Sequence, residues 1–146
     1  YAHPAFNKLF LVTNYDEDTN SLIVKRKKRE QNSQDMYAFV NLSTNGETVG
    51  DLEYEINESK FTGRGNINIP NMIANSIPFS KKIGLVTEPI IAMKRTIKIK
   101  PQEKVDVNFI ISVEENCQIA KENLIKYKSF ENVKMAFELS KSRGRK

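Results

Sequence analysis

Tryptophan is absent from this chain, and cysteine and histidine occur once each, as Cys117 and His3. A single cysteine excludes an intrachain disulfide and fits a reducing compartment. One Cys and one His cannot build a zinc site. A histidine-assisted nucleophile would have to use His3, which precedes Pro4 at the very start, and no Ser or Cys motif accompanies it. Cys117 falls where a helix begins, a place that can lower a thiol pKa, but without a partner base it reads as a small apolar packing residue. No stretch approaches the roughly 18 apolar residues of a membrane span. Tyr1-Ala2-His3-Pro4 lacks the charged start and apolar block of a signal peptide. With no initiator Met, the chain is expected to be a piece of a longer polypeptide.

What is present is the composition of one ordinary globular domain: 146 residues, 39% hydrophobic and 28% charged. The net charge of +5 is partly gathered in Lys25-Arg26-Lys27-Lys28-Arg29 and in the tail from Lys141 to Lys146. Basic clusters can attract nucleic acid or anionic membrane. Here no aromatic residues are interleaved with the cations, as single-strand binders arrange them. The clusters read as a solvated strand end and terminus, and no nucleic-acid partner is expected.

Most of the first two-thirds alternates with period two, the signature of strands. Phe6, Lys8, Phe10 and Val12 alternate with Asn7, Leu9, Leu11 and Thr13, apolar on both sides, which predicts a central, covered strand. Asp16 to Asn20 reads as a turn, Leu22 to Arg26 as a short strand, and Glu30 to Asp35 as polar loop. Met36, Ala38, Val40 and Leu42 share one face of the next strand, with Tyr37 and Phe39 on the other. Asn45-Gly46 predicts a hairpin into a strand with Leu52, Tyr54 and Ile56 on one face. Asp51, Glu53 and Glu55 on its other face read as solvent-facing. Residues 61 to 80 read as irregular loop. Ile91, Met93, Ile97 and Ile99 are predicted to pair in a hairpin with a clean apolar face of Val105, Val107, Phe109, Ile111 and Val113, buried together. The period then changes to helical. Asn116 is the predicted N-cap of a helix carrying Ile119, Ala120, Leu124 and Tyr127, and Ser129 of a second with Phe130, Val133 and Phe137. Strands first and helices last predict a mainly β protein, an antiparallel sandwich over 1–115 with a helical segment and basic tail over 116–146.

Chemistry-bearing patterns are few. Asp16, Asp18 and Asn20 have the opening spacing of an EF-hand loop, but the sixth position is Ser21 and the twelfth Lys27, so no metal site is expected. Gly63-Arg64-Gly65 is not a dinucleotide fingerprint, and no cofactor is implied. Like charges on one strand do not supply the two facing acids that glycosidase chemistry needs. No catalytic residue is therefore assigned.

Two motifs stand out. His3-Pro4-Ala5-Phe6-Asn7-Lys8-Leu9-Phe10 opens the chain, and Glu58-Ser59-Lys60-Phe61-Thr62-Gly63-Arg64-Gly65-Asn66 follows two or three strands later. Together they resemble the N-terminal β-sandwich region of the inverting sugar phosphorylases of glycoside hydrolase family 94 (glycosyltransferase family 36), closest to the phosphorylase region of cyclic β-1,2-glucan synthases. The resemblance implies the later part of a supersandwich of galactose-mutarotase type, in a parent that phosphorolyses or transfers β-glucans. It places the catalytic carboxylate in a helical barrel elsewhere, so this chain alone is expected to be no enzyme. It implies as partners that barrel, an oligosaccharide or β-glucan held by the parent, and a homo-oligomer, with the first strand as the expected contact. Gly63-Arg64-Gly65 reads first as a turn needing backbone freedom; as a loop arginine beside glycines, Arg64 is the candidate to reach sugar hydroxyls or a domain boundary, with Asn66 adding amide hydrogen bonds. The resemblance implies a cytoplasmic location, with a parent that can be membrane-associated. Two other readings stay open: a free-standing carbohydrate-binding module, disfavoured by the lack of Trp and by aromatics on predicted core faces, and a basic nucleic-acid-binding domain supported by charge alone.

Overall fold

A computed structural model describes residues 10–28, 33–64 and 68–144. The opening motif through Leu9, and Gly65-Asn66, lie outside the described residues. Among the described residues six strands form two antiparallel sheets: β1 (Leu11–Asp16), β2 (Ser21–Arg26), β3 (Met36–Thr44), β4 (Glu47–Asn57), β5 (Pro89–Lys98) and β6 (Val107–Glu114). Two short helices, α1 (Glu58–Thr62) and α2 (Asn71–Ala74), follow β4, and α3 (Cys117–Lys128) and α4 (Phe130–Arg143) close the chain. One sheet runs β1-β2-β3-β6 and the other is the β4-β5 pair.

The period-two segments are strands, but their pairing differs from the expected hairpins. Asn45-Gly46 carries the chain from β3 in one sheet to β4 in the other, so it is a crossover between layers. Thr44 and Asn45 anchor that turn to Asp106: Thr44 Oγ1 donates to its carbonyl at 3.0 Å, and Asn45 Oδ1 accepts its N–H at 2.8 Å. β5 pairs with β4, as Tyr54↔Met93 and Glu55↔Ala92, and β6 pairs with β3, as Val40↔Ile111 and Leu42↔Phe109. β1 lies at the sheet's end and not at its centre; its outer edge is bridged at Thr13↔Gly84.

The core has two storeys, because the larger sheet is apolar on both faces. Between the sheets, Leu22 and Val40 meet Tyr54 and Ile56, with Tyr15, Val86 and Met93 packed around them. On the far face, Phe39 and Ile110 meet Ala120 and Leu124 of α3, with Ile23 and Tyr37 alongside. Asn116 caps α3 as its spacing predicts, its Oδ1 accepting the N–H groups of Gln118 at 2.8 Å and Ile119 at 3.2 Å. Ser129 caps α4 through Asn132. Cys117 is exposed, so it is not the packing residue expected. No described helix is long and apolar enough to cross a membrane.

Candidate functional site

The second motif folds into a capped turn. Asn57 Oδ1 accepts the N–H of Lys60 at 3.1 Å and starts α1. Phe61 packs edge-on against Phe79, with ring centroids 5.6 Å apart. Gly63 ends the helix at φ 58°, and its N–H donates to the Ser59 carbonyl. A Cβ on Gly63 would come within 2.9 Å of Asn71 Cβ. Replacing Gly63 by Ala is therefore expected to cost about 1–3 kcal/mol, read as a shift of the urea midpoint. The motif's Phe and first Gly thus build structure, and Arg64 is left exposed beyond the turn.

The acidic face of β4 is not the wet surface its alternation suggested. The segment around Phe79 covers it. Glu53 accepts the Phe79 N–H at 2.9 Å and pairs with Lys94 at 3.0 Å. Glu55, 1% exposed, accepts N–H groups from Ile56 and Asn57, each at 3.0 Å, and from Ser80 at 3.3 Å. Burial by itself raises the Glu55 pKa, but these hydrogen bonds outweigh it and hold the carboxyl below its ordinary value. A general acid needs the opposite shift. Both carboxylates hold the loop to the sheet. Asp51 stays exposed, as expected.

The Asp16–Asn20 turn is neutralised from within. The Lys121 ammonium of α3 sits 3.0 Å from Asp16 and 3.3 Å from Asp18, filling the place a cation would take. Among the described residues no cluster of His, Cys, Asp and Glu could hold a metal ion. In the first basic cluster, Lys25 pairs with Asp35 at 2.8 Å and lies over the Tyr37 ring.

The largest departure from the expected core is on β6. The register puts Val107, Phe109, Ile111 and Val113 on the face that carries Val40 and Leu42, the face turned to the second sheet. The alternation was legible, yet these four side chains are 51 to 58% exposed. Among the described residues the second sheet has two strands. β4 leans on β1 through the Tyr15–Tyr54 stack, centroids 4.9 Å apart, and β5 contacts β3. β6 is the next strand outward, and its apolar row is open. The inward residues are instead Ile110 and Ser112, under α3. Apolar surface continues onto α4 through Val133 and the exposed Phe137. A groove of about 560 Å³ between β6 and α4 is lined by Phe109, Ile111, Val133 and Phe137, among others. A contiguous apolar surface of this kind marks an interface more often than a free surface. Sequence reasoning could count the strands, but nothing in an alternating pattern says that a facing sheet stops short.

No match was found among curated proteins. Residues 1–130 match the family described as Glycosyl hydrolase 94, supersandwich domain. That match spans most of the chain, and the two antiparallel sheets with C-terminal helices agree with it. The chain thus belongs to the glycosyl hydrolase 94 supersandwich family and corresponds to its supersandwich domain.

Proposed function

We propose that this domain is a scaffold within a carbohydrate phosphorylase or glucan synthase-type enzyme, packing against the catalytic barrel and helping to shape oligosaccharide binding or a dimer contact. In this reading residues 1–115 are the sandwich portion and 116–146 lead toward the barrel. The observation that carries it is the open row on β6: four apolar side chains on the core-facing side of a sheet, with no strand over them among the described residues. Leaving such a face in water is costly, and covering it with protein is the ordinary remedy. Radical footprinting tests this. Phe109 and Phe137 are expected to be labelled readily in this chain alone and protected in a polypeptide that also carries a helical barrel. Equal labelling in both would overturn the reading.

The pure chain is also expected to release no glucose 1-phosphate from β-linked glucose oligosaccharides and phosphate. Glu55, the most buried carboxylate among the described residues, is held below its ordinary pKa by hydrogen bonds that outweigh its burial, which is the wrong direction for a proton donor. Measurable release would contradict the scaffold reading.

A further inference from the structure

A second site lies between the sheets, near the β1–β2 turn and away from the β6 face. A cavity of about 490 Å³, within the ~300–1,000 Å³ usual for small-molecule sites, is lined by Tyr15, Asn20, Asp51, Tyr54, Lys81 and Arg95, with Glu17 and Leu52. A smaller cleft of about 220 Å³ shares Asn20, Leu52 and Arg95 and carries on to Thr48 and Lys128.

The backbone is specially built here. The β4–β5 ladder runs Val49↔Thr96 and then Glu53↔Lys94, so Gly50, Asp51 and Leu52 stand opposite Arg95 alone. Gly50 takes φ 70°, and a Cβ there would meet nothing, so glycine serves the left-handed backbone and not a lack of space. Bulges of this kind re-aim side chains, and are common beside binding sites. This one buries Leu52 and leaves Asp51 at the cleft.

The chemistry is that of hydroxyl recognition. Arg95 brings a planar set of N–H donors, of which Nη2 reaches Thr48 Oγ1 at 3.1 Å. Asp51 supplies acceptors and is tethered by Lys81 at 3.1 Å. Tyr15 Oη donates to Asn20 Oδ1 at 3.1 Å, which leaves the Asn20 amide N–H groups directed to other partners. The stacked rings of Tyr15 and Tyr54 form an apolar wall. Two carboxylates, Glu17 and Asp51, balance two cations, Lys81 and Arg95, so the cavity favours neither a phosphate nor a polyanion. Donors and acceptors side by side against an aromatic wall, at zero net charge, suit vicinal hydroxyls on a ring.

We infer that this cleft binds a neutral oligosaccharide, centred on Arg95 and Asp51. The β-linked glucose probes rest on the proposed carbohydrate-enzyme reading, but the cleft and the β6 row share no residue, so failure of sugar binding here leaves the β6 footprinting result standing. The test is a chemical-shift titration of the isotope-labelled chain with β-linked glucose di- and tetrasaccharides to about 10 mM, ten times a millimolar Kd, with inorganic phosphate as a parallel arm. Saturable shifts are expected at Tyr15, Asp51, Tyr54 and Arg95. Asp51→Asn and Arg95→Gln should each weaken them at least tenfold while the spectrum stays folded. Asp51 is exposed enough that its variant gives a clear reading even if Arg95→Gln loosens the bulge. Absence of shifts, shifts centred on Arg64 or on β6, tighter binding of phosphate, or binding unchanged in Asp51→Asn would each overturn the inference.

Discussion

Replacing Phe39 by Ala is expected to cost about 3–5 kcal/mol, while the same change at Phe109 costs under about 1 kcal/mol. The two residues have the same side chain and both sit on strands of the larger sheet. Phe39 is 1% exposed, locked among Ile110, Ala120 and Leu124 beneath α3. Its truncation loses the transfer energy of a ring and leaves a cavity that a helix tied down by its Asn116 cap cannot easily close. Phe109 is more than half exposed and gives up little. Urea melts of the two variants decide the matter through their midpoints. A larger loss at Phe109 than at Phe39 would mean that the β6 row is core and the sheet faces are reversed.

Glu55→Gln should destabilise the fold by about 1–3 kcal/mol at neutral pH, a large effect for a nearly isosteric change. The carboxylate receives N–H donors on both oxygens, and an amide would turn its own NH2 toward one of them. The pH dependence has a definite sign. Burial alone would raise this carboxyl, but the Ser80, Asn57 and Ile56 hydrogen bonds hold it below its ordinary 4.5. A depressed folded-state pKa means that the ionised form stabilises the fold. Its contribution is full above about pH 4.5 and is lost as pH falls through the lower folded value. Wild type and Glu55→Gln should therefore differ at pH 7 and converge in acid. A difference that grows on acidification would show that Glu55 is buried in its neutral form.

Local chemistry was legible in the sequence where a few neighbouring residues decide the outcome. The Asp16–Asn20 turn, the caps at Asn116 and Ser129, and the change from strand to helix after β6 all follow from side chains within a turn of their targets. Pairing was not legible in the same way. The alternation in Val107–Val113 correctly says that four apolar side chains share a face, but the number of strands opposite is a property of the whole sheet. β5 and β6 are adjacent in sequence and look like a hairpin, yet each pairs with an earlier strand. Residues 61 to 80, expected as loop, hold α2 and the end of α1, both too short for periodicity to show. Glu55 looks outward because a charged residue in an alternating strand does so unless the segment that covers it, here around Ser80, 25 residues on, is known. Of the two sugar-contact candidates, Arg64 is exposed and Asn66 lies outside the described residues. The Arg95 cleft was missed, since its residues come from β1, the β1–β2 turn, β4, β5 and the segment between β4 and β5. The Gly50 bulge is its one local signal, a glycine inside a strand pattern.

In the scaffold reading proposed above, β6 carries a core-facing surface made to be covered by more protein. Sedimentation velocity of the chain over a wide concentration range, beside a Phe109→Lys/Ile111→Lys variant, tests it most directly. The wild type is expected to associate with rising concentration, and the variant to remain monomeric with an unchanged circular dichroism spectrum. A wild-type chain that stays monomeric throughout, with β6 amides as protected from exchange as those of β3, would contradict it.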